Sequence, residues 1–160
     1  MSAESRSERV FSALLERLQL ISTARGYFTN AGSNVHRARG NLGLADLPAV
    51  VVWDDGEEPQ GDTGKGSHTS MTLLQRIAVD IHAEADTTDT GRIIGLIKAD
   101  VKRACLDARG LRDSSGTNLG VITYLGAVPL ARPDGGISEA ARVTLGIILK
   151  EAFGDPTAAT

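Results

Sequence analysis

A single cysteine, Cys105, excludes an internal disulfide, so this chain must hold its fold by packing alone. Aromatic residues make up only 4% of the 160 residues, against 18 glycines, which predicts a core of small aliphatic side chains and many turns. Lys and Arg number 17 against 20 Asp and Glu and are scattered along the chain. A net charge of -3 and a pI near 5.6 give none of the basic footprint that phosphate contacts need, and nucleic acid is not expected as a direct ligand. The longest apolar runs, such as AVVVW, fall far short of the roughly 20 residues that span a bilayer. The opening MSAESRSER has no apolar signal core, and the expectation is a soluble protein made in cytoplasm-like conditions. A chain of this length reads as a single domain, 1–160, with residues 1–4 and 154–160 as flexible tails.

What is present centres on Leu47 to Ala85. Two apolar strands, LPAVVVW and TLLQRIAVDIHAEA, flank a glycine- and charge-rich tip, DDGEEPQGDTGKGSHTS, predicting a long β-hairpin with an extended tip loop. From Ile77 the second strand alternates: Ile77, Val79, Ile81, Ala83 and Ala85 on one face, and Ala78, Asp80, His82 and Glu84 on the other. That period of two marks a strand with one buried and one wet side.

Ser5 to Ile21 reads as a helix. Val10, Phe11, Leu14, Leu15, Leu18 and Ile21 form its apolar stripe, and Ser5 with Glu8 has capping-box spacing. Asn34 to Arg39 reads as a short extended piece. A second helix follows Ala85, with Thr87 or Thr88 as its cap, a stripe from Ile93 to Ala108 and a left-handed stop at Gly110. Strands are predicted over Leu119–Leu125 and Ile137–Phe153. The order helix, strand, strand, strand, helix, strand, strand (α-β-β-β-α-β-β) is an α+β fold: a mostly antiparallel β-sheet with two α-helices packed on one face. Such a sheet leaves its other face and at least one edge open, and a long open edge invites another chain.

No catalytic constellation emerges. The tip GDTGKGS fails the phosphate-loop spacing and joins strand to strand rather than strand to helix. Asp80, His82 and Glu84 could together bind a metal in a small metal-dependent enzyme. Alternate strand side chains, however, stand about 7 Å apart, so a polar row facing solvent or another subunit is the preferred reading, with no metal and no cofactor. Cys105 lies on the apolar stripe of the second helix and reads as core. The acids Asp54, Asp55, Glu57 and Glu58 read as a solvated or partner-facing loop patch.

In succession, RGYFTNAGSNVHRAR, LPAVVVWDDGEEP, RIAVDIHAEAD, IIGLIKADVKRA, ITYLGAVPLARPDGG and EAFGDP resemble the tail terminator proteins (minor tail protein U type) of long-tailed bacteriophages, over roughly Val10 to Pro156. The match rests on order and texture, and PAVVVWDDGEE, IKADVKRA and YLGAVPLARPDGG carry most of it. The resemblance implies a non-enzymatic virion protein. It forms a homo-hexameric ring, caps the head-proximal end of the tail tube, stops tube polymerisation and joins the tail to a neck or head-completion protein. Assembly in the host cytoplasm, no membrane, and no nucleic-acid contact beyond lining the DNA channel go with it. On this reading Asp54, Asp55, Glu57, Glu58, Lys65 and His68 meet the tube or a neighbouring subunit, and Arg76, Asp80, His82 and Glu84 supply a polar row between subunits. Another neck or tail-completion protein is the nearest alternative.

Overall fold

The computed structural model describes residues 4–61, 70–152 and 155–159. It contains two helices, α1 (Arg6–Gln19) and α2 (Thr90–Cys105), and eight strands. β1 (Val35–Arg37), β2 (Ala49–Pro59), β3 (Ser70–Glu84), β6 (Ile122–Leu130), β7 (Ser138–Ala152) and β8 (Asp155–Ala159) form one sheet in the order β1-β2-β3-β7-β6, with β8 also on β7. β4 (Leu111–Arg112) and β5 (Asn118–Gly120) make a separate two-stranded piece. All pairings are antiparallel except β1 with β2, so the sheet is the mostly antiparallel one expected.

Both helices cover the same face. Val50 and Val52 of β2, Ile77, Val79 and Ile81 of β3, and Val143, Leu145, Ile147 and Leu149 of β7 share one buried cluster with Val10, Phe11, Leu14 and Leu18 of α1 and Ile97 and Val101 of α2. The register explains the grouping, since Val52 faces Val79, Val79 faces Val143 and Ile77 faces Leu145. Each buried aliphatic side chain contributes roughly 1.5–3 kcal/mol, so this layer is the main source of stability. Cys105 is fully buried in it, as its place on the stripe required.

The local signals err at element ends. Ser5 does cap α1, its hydroxyl accepting the amide of Glu8 at 3.1 Å. The reciprocal half of the capping box is absent, because the Glu8 carboxylate is drawn to Arg37 on β1, whose Nη2 donates to Glu8 Oε2 at 3.0 Å. α2 begins after Asp89 rather than Thr87 or Thr88. The Thr90 hydroxyl bonds back to the Glu84 carbonyl at 2.7 Å and to the Thr87 hydroxyl at 2.7 Å, which pins the turn between β3 and the helix. The helix also ends at Leu106 without a left-handed residue. Gly110 is needed farther on: its φ is +79°, and a Cβ there would stand 2.8 Å from the Gly120 carbonyl oxygen. β2 extends through Pro59, so the acids placed in a loop lie on a strand. Asp155–Ala159 form β8, which pairs with β7.

Sequence periodicity did not reveal how the loop after α1 is tied down. Asp100, fully buried on α2, accepts the Phe28 amide at 3.0 Å and both the Thr29 amide and hydroxyl at 2.8 Å. Arg103 donates to the Gly26 carbonyl at 2.6 Å and lies 4.9 Å from the Tyr27 ring centroid. Gly32 closes the loop against α1, where a Cβ would sit 2.5 Å from the Gln19 carbonyl oxygen.

Candidate interaction surface

Beyond β1, which pairs β2 no farther than Val52, the outer edge of β2 runs on as an arm with no neighbouring strand among the described residues. A bulge between Asp54 and Glu57 bends it. Asp54 stabilises that bulge: its Oδ1 accepts the Gly56 amide and the Gln75 side-chain amide, each at 2.9 Å. Gln75, completely buried, is the pivot. Its Oε1 accepts the Ser7 hydroxyl of α1 at 2.8 Å, and its Nε2 also reaches the Gly56 and Arg76 carbonyls at 3.3 and 3.2 Å. A buried amide with every group satisfied fixes geometry that an apolar residue would leave loose. Gln75 therefore ties the acidic arm to the first helix, and no sequence signal short of the strand register pointed to it.

The remaining arm acids divide by face. Asp55 and Glu58 flank Arg76 of β3 at 3.6 Å each, a half-exposed group worth little in stability. Glu57 has no such partner among the described residues. Partial burial, then the charges of Glu151 and Asp54, push its carboxyl above the usual range. Lys65 and His68 lie outside the described residues, as does most of the GDTGKGS tip.

The sheet face away from the helices is the open one. Across it Asp80 of β3 stands opposite Arg142 of β7, and the two form a forked pair, Nε to Oδ1 at 2.7 Å and Nη2 to Oδ2 at 2.9 Å. The carboxylate holds the guanidinium charged above its ordinary range. His82 lies two residues on, its Nδ1 3.5 Å from the Ser138 hydroxyl; burial lowers its pKa and the Asp80 charge partly offsets this. Glu84 is exposed at the end of β3. Asp80, His82 and Glu84 thus share a face without converging. Both Asp80 oxygens are engaged by Arg142, and among the described residues no group of three potential ligands surrounds a common point. Nearby, Leu74 and Leu125 close over Gly146, where a Cβ would be 2.9 and 3.0 Å from their Cδ1 atoms. Leu125, Val128 and Ile148 are exposed, and they give the face an apolar portion beside its ion pairs.

Among the described residues no helix is long and apolar enough to cross a membrane. No protein-family model matches the chain, and neither does any curated protein. Solved structures do match. A chain from the virion of a native gene transfer agent particle is similar over 87% of this chain and 92% of its own length, with a TM-score of 0.55 and 15% identity. A second solved structure covers 89% of this chain and 94% of its own, with a TM-score of 0.50 and 10% identity. At such identities the likeness establishes the fold: nearly the whole chain is built like a protein found in a gene transfer agent virion.

Proposed function

We propose that this chain is a structural virion protein and, more narrowly, a tail terminator. Copies form a hexameric ring on the head-proximal end of a phage tail tube, stop its polymerisation and offer a surface to the neck. The observation that carries the reading is the fold likeness to a gene transfer agent virion chain, which takes in almost all of both chains. The sequence resemblance to tail terminators points the same way. One contiguous core supports a single domain over 1–160. A closed ring repeats one head-to-tail contact, which needs two different surfaces on each subunit.

On this reading Asp55, Glu57 and Glu58, with Lys65 and His68, meet the tube or the next subunit, while Asp54 shapes the arm that carries them. Arg76, Asp80, His82 and Glu84 form the polar row between subunits, with Asp80 acting through Arg142. The experiment is assembly of tail tube protein with and without the purified chain, with tube length read by electron microscopy. Tubes of bounded length capped by a ring are expected. Tubes that grow to the same lengths with and without the chain would refute the terminator reading.

A further inference from the structure

The outward side of α2 carries Arg92, Lys98, Lys102 and Arg103, and the only carboxylate within the helix, Asp100, is buried under the Phe28–Thr29 backbone. At 100° per residue Lys98 and Lys102 fall on one flank with Gly91 between them, Arg92 and Arg103 fall on the other, and Gly95 and Ala99 lie between the flanks. A Cβ at Gly91 or Gly95 would meet nothing within 4 Å, so the strip between the cations is bare backbone open to close approach. None of the four cations forms an ion pair among the described residues. Lys102 and Arg103 rest on the rings of Tyr124 and Tyr27 instead. Lys98 also borders a cleft of about 320 Å³ between α2 and β6, lined by Ile94, Ala127 and Pro129.

The acidic arm is the converse. Asp54, Asp55, Glu57 and Glu58 lie close together with Glu151 nearby, and among the described residues only Arg76 pairs with Asp55 and Glu58. Like charges crowded on an unpaired strand edge are relieved by cations from elsewhere. α2 packs over β3 and β7 toward β6, whereas the arm lies on the outer edge of β2 and is paired only with β3, so the two surfaces lie on different parts of the subunit. Strand-to-strand addition fits less well. The β2 edge is broken by its bulge, and β6 by a bulge between Tyr124 and Gly126 and by Pro129, which has no amide to donate.

We propose that the cationic outer face of α2 receives the acidic arm of β2 from a second copy of this chain, Lys98 and Arg92 meeting Glu57 and Glu58. This rests on the ring reading above and names the two surfaces that make its repeated contact. A phosphate backbone is the competing occupant of a cationic helix, and the chain's net charge of -3 disfavours a polyanion.

The test compares wild type with two variants, Arg92→Glu/Lys98→Glu and Glu57→Lys/Glu58→Lys, by sedimentation over a range of concentrations, alone and with tail tube protein. Each variant is expected to weaken self-association about tenfold or more at low salt, and mixing the two to restore it. A further chain carrying Gly95→Cys and Glu58→Cys is expected to give a ladder of covalent multimers on oxidation, which keeps the test open should a charge variant misfold. Rings that form unchanged by either reversal, without a ladder, overturn this inference and leave the ring reading standing. A wild-type chain that stays monomeric at every concentration and on tail tubes overturns both. Loss of salt-sensitive binding to a duplex DNA oligonucleotide in the Arg92→Glu/Lys98→Glu variant, with self-association intact, assigns the helix to phosphate and overturns it as well.

Discussion

Arg142→Ala is the most informative single change. The Asp80 carboxylate is 6% exposed and receives both of its strong hydrogen bonds from the Arg142 guanidinium, so truncation strands a charge inside the sheet. Removing one partner of a fully buried pair costs about 3–5 kcal/mol. Here the guanidinium is 34% exposed, and water entering from its side can solvate part of the carboxylate. The expected loss is therefore nearer 2–3 kcal/mol, between a buried unsatisfied acceptor and a broken buried pair. For a chain of this size that is a fall in Tm of roughly 5–10 °C. Arg142→Lys keeps the charge but not the fork and loses about 1 kcal/mol. The pair Asp80→Ala with Arg142→Ala leaves no stranded charge, so it is more stable than Arg142→Ala alone. Urea unfolding of wild type, Asp80→Ala, Arg142→Ala and the double variant closes the cycle. An Arg142→Ala protein melting within about 1 °C of wild type, or a double variant that shows the simple sum of the single losses, refutes the argument.

Four further outcomes are expected. Gly32→Ala forces a methyl to 2.5 and 2.6 Å from the Gln19 and Ile21 carbonyl oxygens, and chemical denaturation should show a loss of about 2–3 kcal/mol. Gly95→Ala, with nothing within 4 Å, should instead gain about 0.5–1 kcal/mol by improving the helix. Burial pushes the Cys105 thiol up to about 12, so iodoacetamide at pH 8 should label it only as fast as the core opens. Labelling of the native protein at the rate of a free thiol would contradict its place in the core. His82 has a folded pKa below its unfolded value near 6.5. Between those two values the unfolded chain binds more protons, so the stability this histidine contributes is complete above pH 6.5 and is lost as pH falls toward the folded value. Urea midpoints from pH 7.5 to 5 should decline less steeply in His82→Gln than in wild type.

The layered fold was legible because one side of each element is wet. β3 and β7 alternate in sequence because the helices cover one face and leave the other open, and α1 and α2 carry stripes for the same reason. What stayed hidden was decided by residues distant in the chain. DDGEEP has the composition of a turn, yet the buried Gln75 side chain and the bulge hold it as strand. Glu8 has capping-box spacing, yet Arg37 on a neighbouring strand attracts it more strongly than its own amide. Asp100 gave no sequence signal of its buried role, because its partners are backbone amides some seventy positions away. The Asp80–Arg142 pair had a sequence signal, opposite charges on the wet faces of two predicted strands. The register that brings them together could be read only from the assembled sheet. The acidic arm was found as a patch; the bulge and the Gln75 contacts that shape it were not.

β7 joins two halves that cannot close without it. It pairs with β3 along its whole length and with β6 on its other side, yet residues 85–137 separate it from β3. While the ribosome is still adding those residues, β3 shows solvent an unsatisfied edge along its full length and an uncovered row of isoleucine and valine. Long-range closure of this kind is slow, and unclosed strands aggregate. The nascent chain should therefore depend on early docking of α1, or on a chaperone, to shield that edge until the later strand emerges, and host conditions that slow translation through this stretch should lower the soluble yield.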